Sequence, residues 1–385
     1  MRFFRIVCVL TLSLFAAPLR SNPQAIRFNS ALPLTHVDNG ANSQWAQNRH
    51  YLVLVSLDGF RWDYARRDNA THLLAIGKAG VWASEGMMPS YPSLTFPNHY
   101  TMVTGLYPEH HGIVANSFLD PARGERYSMS DPQSVTDGSW YGGVPLWSLA
   151  ESQGMRTACL LWVGCEAKIA GFRPSYYATF DSKTQATREA EQARIDDTVA
   201  LLHLPSADRP HLIAMYFSEP DQEGHEFGPD APQTRAAALR MDVLVGKLRD
   251  ALRATGLPID LVVVSDHGMV KSEGQWINLD DSADLSGFET AGDLLYGKTE
   301  EDRARVYNQL KRATSQFMVY RRKDMPAGLD YNQNPREGDP VIVATGPFAI
   351  RAHAPRPGET DRLPTIGMHG FDPHLLPEMK ASFFA

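Results

Sequence analysis

Continuous apolar runs, rather than alternating ones, constrain the fold of this chain more than any other feature. The runs are YLVLVSL at 51–57, TACLLWV at 157–163, HLIAMYF at 211–217 and DLVVVSD at 260–266. Runs of this length and composition are typical of strands that are buried on both faces, as in parallel sheets. The sequence therefore predicts a sheet that is covered on both sides.

Stretches with helical periodicity separate these runs. They lie near 63–79, 145–153, 185–202 and 232–255. Strands that alternate with helices predict an α/β fold, in which helices flank both faces of a mainly parallel sheet.

Changes in composition along the sequence predict the domain organisation of the chain. Residues 1–21 combine Arg2 and Arg5 with a short apolar run, which is typical of a secretory signal peptide, although an uncleaved interfacial anchor is an alternative. We expect a leader or linker at 22–49, a main α/β domain at 50–269, an inserted cap at 270–365 and a return to the main domain at 366–385. We therefore expect the protein to be periplasmic or secreted, with no stable membrane insertion after cleavage of the signal.

Composition narrows the class of protein. Apolar residues make up 43% of the chain and the formal net charge is −7, values that exclude a disordered chain and disfavour binding to duplex nucleic acid by bulk charge. Cys159 and Cys165 flank LLWVG in an apolar run. An extended segment of six residues would hold them about 20 Å apart, so we expect both thiols to be free. The sequence leaves the oligomeric state open.

Acids and histidines follow three of the predicted strands and recur where the main domain resumes. They are Asp58, Asp221, His225, Asp266, His267 and His369. Because ligands bind at the carboxyl ends of strands in open α/β sheets, we expect these six side chains to converge. Carboxylate and imidazole groups suit two divalent ions, and the acids would repel one another without cations. The alternative is a set of loop-capping residues whose hydrogen bonds are satisfied without a metal.

A nucleophile candidate lies in PSLTFPNHYTMVTG at 92–105. Pro97 suits the first position of a helix, which places Thr95 at the helix N-terminus, where free N–H groups favour an anion. A threonine hydroxyl becomes a competent nucleophile only when a metal or a base activates it. Thr95 could instead be a simple N-cap.

Five motifs carry a family resemblance. LDGFRWDY, SLTFPNHYTMVTGLYPEHHGIVANSF, YFSEPDQEGHEFGP, SDHGM and MHGF closely resemble the nucleotide pyrophosphatase/phosphodiesterases of the alkaline phosphatase superfamily. The resemblance runs from Tyr51 to the C-terminus and implies an alkaline-phosphatase-like catalytic domain with an inserted cap. Family members usually continue past EMKASFFA with another strand and helix, so we expect the resumed domain to be cut short.

The resemblance also implies roles for individual residues. One zinc ion would be held by Asp221, His225 and His369, and a second by Asp58, Asp266, His267 and Thr95. Thr95 would attack phosphorus and form a threonyl-phosphoryl intermediate. The substrate would contact Asn116, which donates to a phosphoryl oxygen, Phe96, which packs on the base, and either Tyr176 or Tyr177 as the opposite wall.

The function implied by the resemblance is that of a secreted enzyme with two Zn²⁺ ions. It would hydrolyse phosphodiester or pyrophosphate bonds in small nucleotide substrates and release nucleoside 5'-monophosphates. Two alternatives stay open: a phosphomonoesterase or phospholipid-headgroup phosphodiesterase on the same metal core, and an inactive, truncated binding relic. A sulfatase is disfavoured because its C/S-x-P-x-R motif is absent.

Overall fold

The computed structural model describes residues 24–26, 33–181, 187–356, 363 and 365–385, so the predicted signal peptide lies outside the described residues. The helices are α1 (Tyr64–Arg67), α2 (Thr71–Ala79), α3 (Thr95–Thr104), α4 (Pro108–His111), α5 (Pro132–Thr136), α6 (Leu146–Ser152), α7 (Arg188–Leu202), α8 (Asp221–Phe227), α9 (Pro232–Ala254) and α10 (Glu300–Leu310). The strands are β1 (Gln24–Ile26), β2 (Leu34–His36), β3 (Tyr51–Leu57), β4 (Ser117–Asp120), β5 (Glu125–Ser128), β6 (Thr157–Leu160), β7 (Tyr176–Ala178), β8 (Leu212–Phe217), β9 (Ile259–Val264), β10 (Val270–Lys271), β11 (Trp276–Asn278), β12 (Phe288–Ala291), β13 (Leu294–Gly297), β14 (Phe317–Tyr320), β15 (Val341–Ala344), β16 (Ala349–Arg351), β17 (Gly367–Met368) and β18 (Phe383–Phe384).

The predicted α/β fold is confirmed. The main sheet has eight strands in the order β1-β2-β7-β6-β8-β3-β9-β18. Its central strands, from β7 to β9, pair in parallel, whereas β2 and β18 pair antiparallel at the two sides. Strand β3 lies between β8 and β9, so the carboxyl ends of these three strands are neighbours.

Both faces of the sheet are buried, which explains the continuous apolar runs. Val53, Val55 and Leu57 of β3 belong to one hydrophobic cluster, which packs against α2 and α9. Leu54 points to the opposite face and joins a second cluster that includes Tyr100 of α3. Alternate residues of one strand therefore serve two cores, as expected for a sheet between two helical layers.

The prediction of free cysteines is wrong. Strand β6 ends at Leu160, and Leu161 adopts a left-handed conformation with φ of 69°. The chain then turns back, and the backbone N–H of Cys165 donates to the carbonyl oxygen of Trp162. The two Cα atoms lie 5.8 Å apart and the thiols form a disulfide. A turn inside an apolar run therefore defeats a distance estimate that assumes an extended chain.

The segment predicted as a leader takes part in the main domain. Strand β2 pairs with β7, and the Asn42 side chain accepts from the backbone N–H of Arg156 and donates to the carbonyl oxygens of Ser206 and Arg209. Polar composition did not predict this role, because the role depends on two short strands at the side of the sheet and on hydrogen bonds of Asn42 rather than on an apolar run.

The residues from 276 to 352 build a layer of short strands with a hydrophobic cluster of their own, around Leu279, Leu295 and Val306. Strands β12 and β13 form one hairpin, β14 pairs with β15, and β11 pairs with β16. The chain then returns to the main sheet at β18, which pairs with β9. Among the described residues, no helix has both the length and the apolar character that crossing a membrane requires.

Candidate metal-binding active site

The three carboxylates lie after the carboxyl ends of three neighbouring strands. Asp58 follows β3, Asp221 begins α8 after β8, and Asp266 follows β9. The side chains of Asp58 and Asp266 are almost completely buried, and Asp221 is mostly buried. The register of the parallel strands thus brings together three acids that are distant in sequence, as expected at the carboxyl edge of the sheet.

Gly59 permits this close approach. It adopts a left-handed conformation with φ of +65°, and its backbone N–H donates to Oδ1 of Asp266 at 3.2 Å. A Cβ atom at this position would lie 2.8 Å from Cβ of Asp221. Any other residue would be strained and would also push Asp221 aside.

The three predicted imidazoles join the acids. His267 Nε2 lies 3.1 Å from Asp266 Oδ2 and 3.5 Å from Asp58 Oδ1. His369 arrives from the loop after β17, and its ring stacks on that of His267 with a centroid distance of 3.6 Å. The structure therefore brings together His267 and His369, which are 102 residues apart in the sequence.

His225, which lies within α8, also joins the cluster. Its Nε2 lies 3.4 Å from Asp221 Oδ2 and 3.1 Å from His369 Nε2. The Nδ1 atoms of His225 and His369 hydrogen-bond to the carbonyl oxygens of Gly367 and Ser93. Backbone contacts of this kind orient an imidazole so that its Nε2 faces the cluster.

The donor set fits a divalent metal. Asp58, Asp266 and His267 form one group whose ligand atoms all lie within 4.8 Å of one another, and Asp221, His267 and His369 form another. Oδ1 of Asp58 and Oδ1 of Asp221 are buried and accept no hydrogen bond from any residue that the structure describes. A buried carboxylate oxygen without a donor is costly, and a bound cation would satisfy it.

Burial and neighbouring charges shift the pKa values of the three acids. Burial raises the pKa of Asp58 well above its ordinary value, and repulsion from Asp266 and Asp221 raises it further. Burial also raises the pKa of Asp221. Burial alone would raise the pKa of Asp266, but attraction to His267 and His99 brings it well below its ordinary value. Such opposed shifts within one cluster are typical of functional sites.

Thr95 opens α3 beside this cluster, as the first helical residue. Leu94 is the N-cap residue, and no side chain caps the helix. Pro97 is therefore the third helical residue, not the first as predicted, and Thr95 is not an N-cap. Its Oγ1 lies 3.3 Å from His267 Nε2. The hydroxyl is thus free of a capping role and faces the acids and imidazoles.

Asn116 lies against the first turn of α3. Its Oδ1 accepts a hydrogen bond from the backbone N–H of Phe96 at 3.0 Å. Because a backbone N–H can only donate, this contact identifies the oxygen of the amide and leaves Nδ2 to point elsewhere. Nδ2 makes no hydrogen bond to the described part of the chain and is available as a donor to a ligand near Thr95.

Two residues that the sequence did not assign as ligands support the cluster. His99, one helical turn after Thr95, is completely buried; its Nδ1 lies 2.8 Å from the Thr95 carbonyl oxygen and 3.3 Å from Asp266 Oδ2. The hydroxyl of Tyr216 donates to Asp58 Oδ2 at 2.6 Å. The spacing of one helical turn after Thr95 predicts a packing or orienting role for His99, whereas no sequence signal marks Tyr216.

The aromatic residues that the resemblance implies for the nucleotide base lie in different places. Phe96 is half-buried and its ring meets that of Tyr127 edge to face. Tyr176 is not brought to the cluster: it is 3% exposed, its ring stacks on His36, and its hydroxyl donates to the carbonyl oxygen of Asp208. His36 lies on β2, and Asp208 lies before the start of β8. The strand register therefore directs the Tyr176 ring into the core.

Tyr177 is half-buried and packs against the cluster that contains Tyr100. Phe180, two residues past the end of β7, is 41% exposed and meets the Tyr216 ring edge to face at 5.9 Å. Since Tyr216 touches Asp58, Phe180 is an exposed aromatic residue near the acids that sequence inspection overlooked.

Comparisons with known proteins agree with this geometry. The type I phosphodiesterase / nucleotide pyrophosphatase family matches residues 52–372. An uncharacterized pyrophosphatase/phosphodiesterase of Schizosaccharomyces pombe is 34% identical over 349 residues, which cover 87% of this chain and 70% of the relative. Human bis(5'-adenosyl)-triphosphatase is 32% identical over 338 residues, which cover 85% of this chain and 70% of that protein.

Human ectonucleotide pyrophosphatase/phosphodiesterase family member 1 is 36% identical over 221 residues, which cover 56% of this chain but only 23% of that protein. Among solved structures, an inactive variant of murine ectonucleotide pyrophosphatase/phosphodiesterase 5 in complex with AMP superposes with a TM-score of 0.78 at 28% identity, over 87% of each chain. The resemblance drawn from the motifs is confirmed, and the chain belongs to the type I phosphodiesterase / nucleotide pyrophosphatase family, whose members are metal-dependent hydrolases of nucleotides.

Proposed function

We propose that this protein hydrolyses phosphodiester or pyrophosphate bonds in small nucleotides and releases nucleoside 5'-monophosphates. The observation that carries the proposal is the position of Thr95 Oγ1, 3.3 Å from His267 Nε2 at the open end of α3. Relatives named as a bis(5'-adenosyl)-triphosphatase and a structure with bound AMP support nucleotides as the substrate class.

Two zinc ions are the proposed cofactors. Asp221, His225 and His369 would hold one, and Asp58, Asp266 and His267 would hold the other together with Thr95 Oγ1. Oxygen and imidazole nitrogen are ligands that zinc accepts. When bound, the ions would lower the pKa of the Thr95 hydroxyl and offset negative charge on the phosphoryl group.

Thr95 is the proposed nucleophile. Its Oγ1 forms a bond to phosphorus while the ester bond on the opposite side breaks, and the leaving oxygen departs with the bonding electrons. Water then attacks phosphorus and the bond to Oγ1 breaks; one proton of the water passes to Oγ1, in place of the proton that the hydroxyl released to solvent before its attack, and the other passes to solvent. The backbone N–H groups at the start of α3 and Nδ2 of Asn116 are the donors available to the phosphoryl oxygens.

A pair of chromogenic esters tests the reaction class. The nitrophenyl ester of thymidine 5'-monophosphate should be hydrolysed at least about tenfold faster than nitrophenyl phosphate, measured as kcat/KM. Faster hydrolysis of the monoester would assign the protein as a phosphomonoesterase. Faster hydrolysis of nitrophenyl phosphorylcholine would assign it as a headgroup phosphodiesterase.

Metal analysis tests the cofactor. Purified protein should carry two equivalents of zinc, and Asp221→Asn should bind less metal because it removes a charged ligand. Asp324→Asn, which removes an exposed acid elsewhere, is the matched control and should keep the full content. Protein that binds no zinc when it is offered would exclude this mechanism.

We also propose that the protein is exported to the periplasm or the medium. The signal-peptide pattern at 1–21 and the Cys159–Cys165 disulfide support this location, because disulfides persist in oxidising compartments. Cell fractionation with N-terminal sequencing tests it: export predicts a processed chain outside the cytoplasm, and an intact cytoplasmic chain would contradict it.

A further inference from the structure

A groove crosses the layer of short strands. Its volume is about 800 Å³, and Leu119, Pro121 and Gly124 of the hairpin formed by β4 and β5 line one side of it. The other walls come from β13, the start of α10 and the segment after β14. Sites for small molecules in proteins are clefts of about 300–1,000 Å³. None of the acids and histidines of the candidate active site lines this groove, so a ligand here would occupy a separate site.

More cations than acids line the groove, which we call the basic groove. The cations are Lys298, Arg303, Arg321, Arg322 and Lys323, and the acids are Glu289, Glu300 and Asp339. This excess of positive charge contrasts with the formal net charge of the chain, which is −7. Charges of one sign along a concave surface concentrate the electrostatic potential and attract ions of the opposite sign.

Two of these cations are paired with acids of the groove. Arg321 donates to both carboxylate oxygens of Asp339 at 2.9 Å and lies 2.8 Å from Glu300. Arg303 lies 3.1 Å from Glu300 and donates to the carbonyl oxygen of Gly297. These contacts neutralise the charges involved and hold the walls in place, so the two arginines shape the groove.

Lys298, Arg322 and Lys323 are the remaining cations. Their side chains form no ion pair and no hydrogen bond with any residue that the structure describes. Lys298 and Lys323 are exposed, and Arg322 is half-buried. The third acid, Glu289, lies 3.5 Å from Arg126, a residue outside the groove. Three positive charges therefore face the groove without an acid beside them.

Glu337 does not neutralise Arg322. Burial raises the pKa of the Glu337 carboxyl to about 8, although Arg322 attracts its charged form. At neutral pH most of this carboxyl is therefore protonated and carries no charge. The positive charge of Arg322 is thus available to a ligand.

The walls favour a phosphate chain over a nucleobase. Lysine and arginine side chains bind phosphate oxygens through charge-assisted hydrogen bonds. Proteins bind nucleobases by stacking them on exposed aromatic rings. Tyr296 is the one aromatic residue among the described residues that line the groove; it is buried, and its hydroxyl donates to the carbonyl oxygen of Arg336. A ligand with several negative charges along its length suits these walls.

The letters GDLLYGKT at 292–299 match the P-loop pattern G-x-x-x-x-G-K-[ST], but the structure of this segment does not. Leu294–Gly297 form strand β13, which pairs with β12, so this backbone does not wrap around a phosphate. The first turn of α10 carries Glu300, Glu301 and Asp302, which repel an anion from that end of the helix. Recognition in the basic groove therefore depends on the side chains of its three unpaired cations.

We propose that the basic groove binds a chain of phosphates through Lys298, Arg322 and Lys323. Inorganic tripolyphosphate and the triphosphate tail of a nucleotide share this chemistry, and the base contributes little. The site is separate from the candidate active site, and the proposal does not depend on the hydrolytic function proposed above.

Titration calorimetry with inorganic tripolyphosphate tests the site. The variant in which Lys298→Gln, Arg322→Gln and Lys323→Gln are combined, the groove variant, should bind tripolyphosphate at least about tenfold more weakly than the parent protein at the site that it alters. Binding of the anion to the metal ions or to their ligands is common to the two proteins. The difference between the two titrations therefore reports the groove.

A second triple variant is the matched control. It combines Lys78→Gln, Lys247→Gln and Arg312→Gln, which remove the same number of positive charges at exposed positions outside the groove. Its affinity for tripolyphosphate should stay within about twofold of that of the parent, because scattered surface charges contribute little. Equal losses in the two triple variants would show a response to net charge alone and would overturn the site, as would equal affinities in the parent and the groove variant.

The α,β-methylene analogue of ATP is the second probe, since a carbon bridge between its first two phosphates prevents the release of AMP. Its groove-dependent affinity should lie within about threefold of that of tripolyphosphate, because the phosphate chain is the recognised element. Groove-dependent binding of the analogue without binding of tripolyphosphate would mean that the nucleoside is recognised and would overturn the assignment. Groove-dependent binding of both probes in a protein that hydrolyses no nucleotide ester would keep this site and overturn the proposed function.

Discussion

The carboxyl edge of the sheet and the layer of short strands hold their charges in opposite ways. At the edge, Asp58 and Asp266 are buried and contact imidazoles, and neither forms an ion pair with a described lysine or arginine. In the layer, the partly buried Arg321 binds both the partly buried Asp339 and the exposed Glu300, so each of these charges has an opposite charge beside it.

This difference separates the acids of the candidate site from the charges that only stabilise the fold. A paired charge at the surface costs little and contributes little, so its presence says nothing about chemistry. A buried acid without a cation lowers the stability of the fold, and several such acids in contact lower it further because they also repel one another. The convergence of three buried acids with imidazoles, rather than the burial of any single acid, therefore locates the site.

The largest expected effect comes from the nucleophile at the edge. Thr95→Ala removes the hydroxyl that attacks phosphorus, so kcat should fall by about 1,000-fold or more. The metal content should not change, because the six charged or imidazole ligands remain. Steady-state kinetics and metal analysis on the same preparation measure both.

Thr104→Ala is the matched control for this variant. Thr104 lies on the same helix, and its hydroxyl donates to the Tyr100 carbonyl oxygen. It should keep the activity within about twofold, since it lies outside the site. Substantial turnover by Thr95→Ala would mean that another group attacks phosphorus.

The next effect tests whether paired charges serve stability alone. The guanidinium of Arg336 binds Asp120 and donates to the carbonyl oxygens of Gly112 and Trp140. Arg336→Met leaves these largely buried acceptors without a donor and should lower the free energy of unfolding by about 2–3 kcal/mol. Urea denaturation measures the loss, while kcat should stay near that of the parent.

Arg312→Met provides the comparison for Arg336→Met. Arg312 is exposed, and its replacement should change the stability by no more than about 0.5 kcal/mol. If Arg336→Met reduced kcat as much as it reduced stability, the division between paired structural charges and unpaired functional ones would fail.

The last effect concerns a buried acid that lies outside the edge. Glu337 is completely buried; burial raises its pKa to about 8, and the backbone N–H of Asn334 donates to its Oε1. The folded chain thus retains a proton that the unfolded chain releases near pH 4.5. Stability from this group should therefore be fully present below about pH 4.5 and decline as the pH rises to 8, by at most about 1.4 kcal/mol per unit.

Glu337→Gln should remove this decline, because the amide does not titrate. Unfolding free energies measured between pH 5 and 8 in the parent and the variant provide the test. Parallel pH profiles for the two proteins would show that Glu337 does not titrate in this range, and its burial would then need another explanation.

Sequence reasoning succeeded where a local pattern reports a local environment. The apolar runs predicted buried strands because burial on both faces requires apolar side chains at every position. It failed at Cys165, where a single left-handed residue, Leu161, reverses the chain, and at Pro97, where helix α3 begins two residues earlier than the proline indicated. Such changes depend on packing that no short window of sequence contains.

The sequence by itself determined the fold class, the family and the set of acids and histidines at the ends of the strands. These follow from residue types and from order along the chain, which are local properties. Only the tertiary structure decided that His99 links Thr95 to Asp266, that Tyr216 binds Asp58 and that Lys298 and Arg322 line the same groove. Those contacts join residues that strand register and packing bring together, and sequence order alone does not specify such distances.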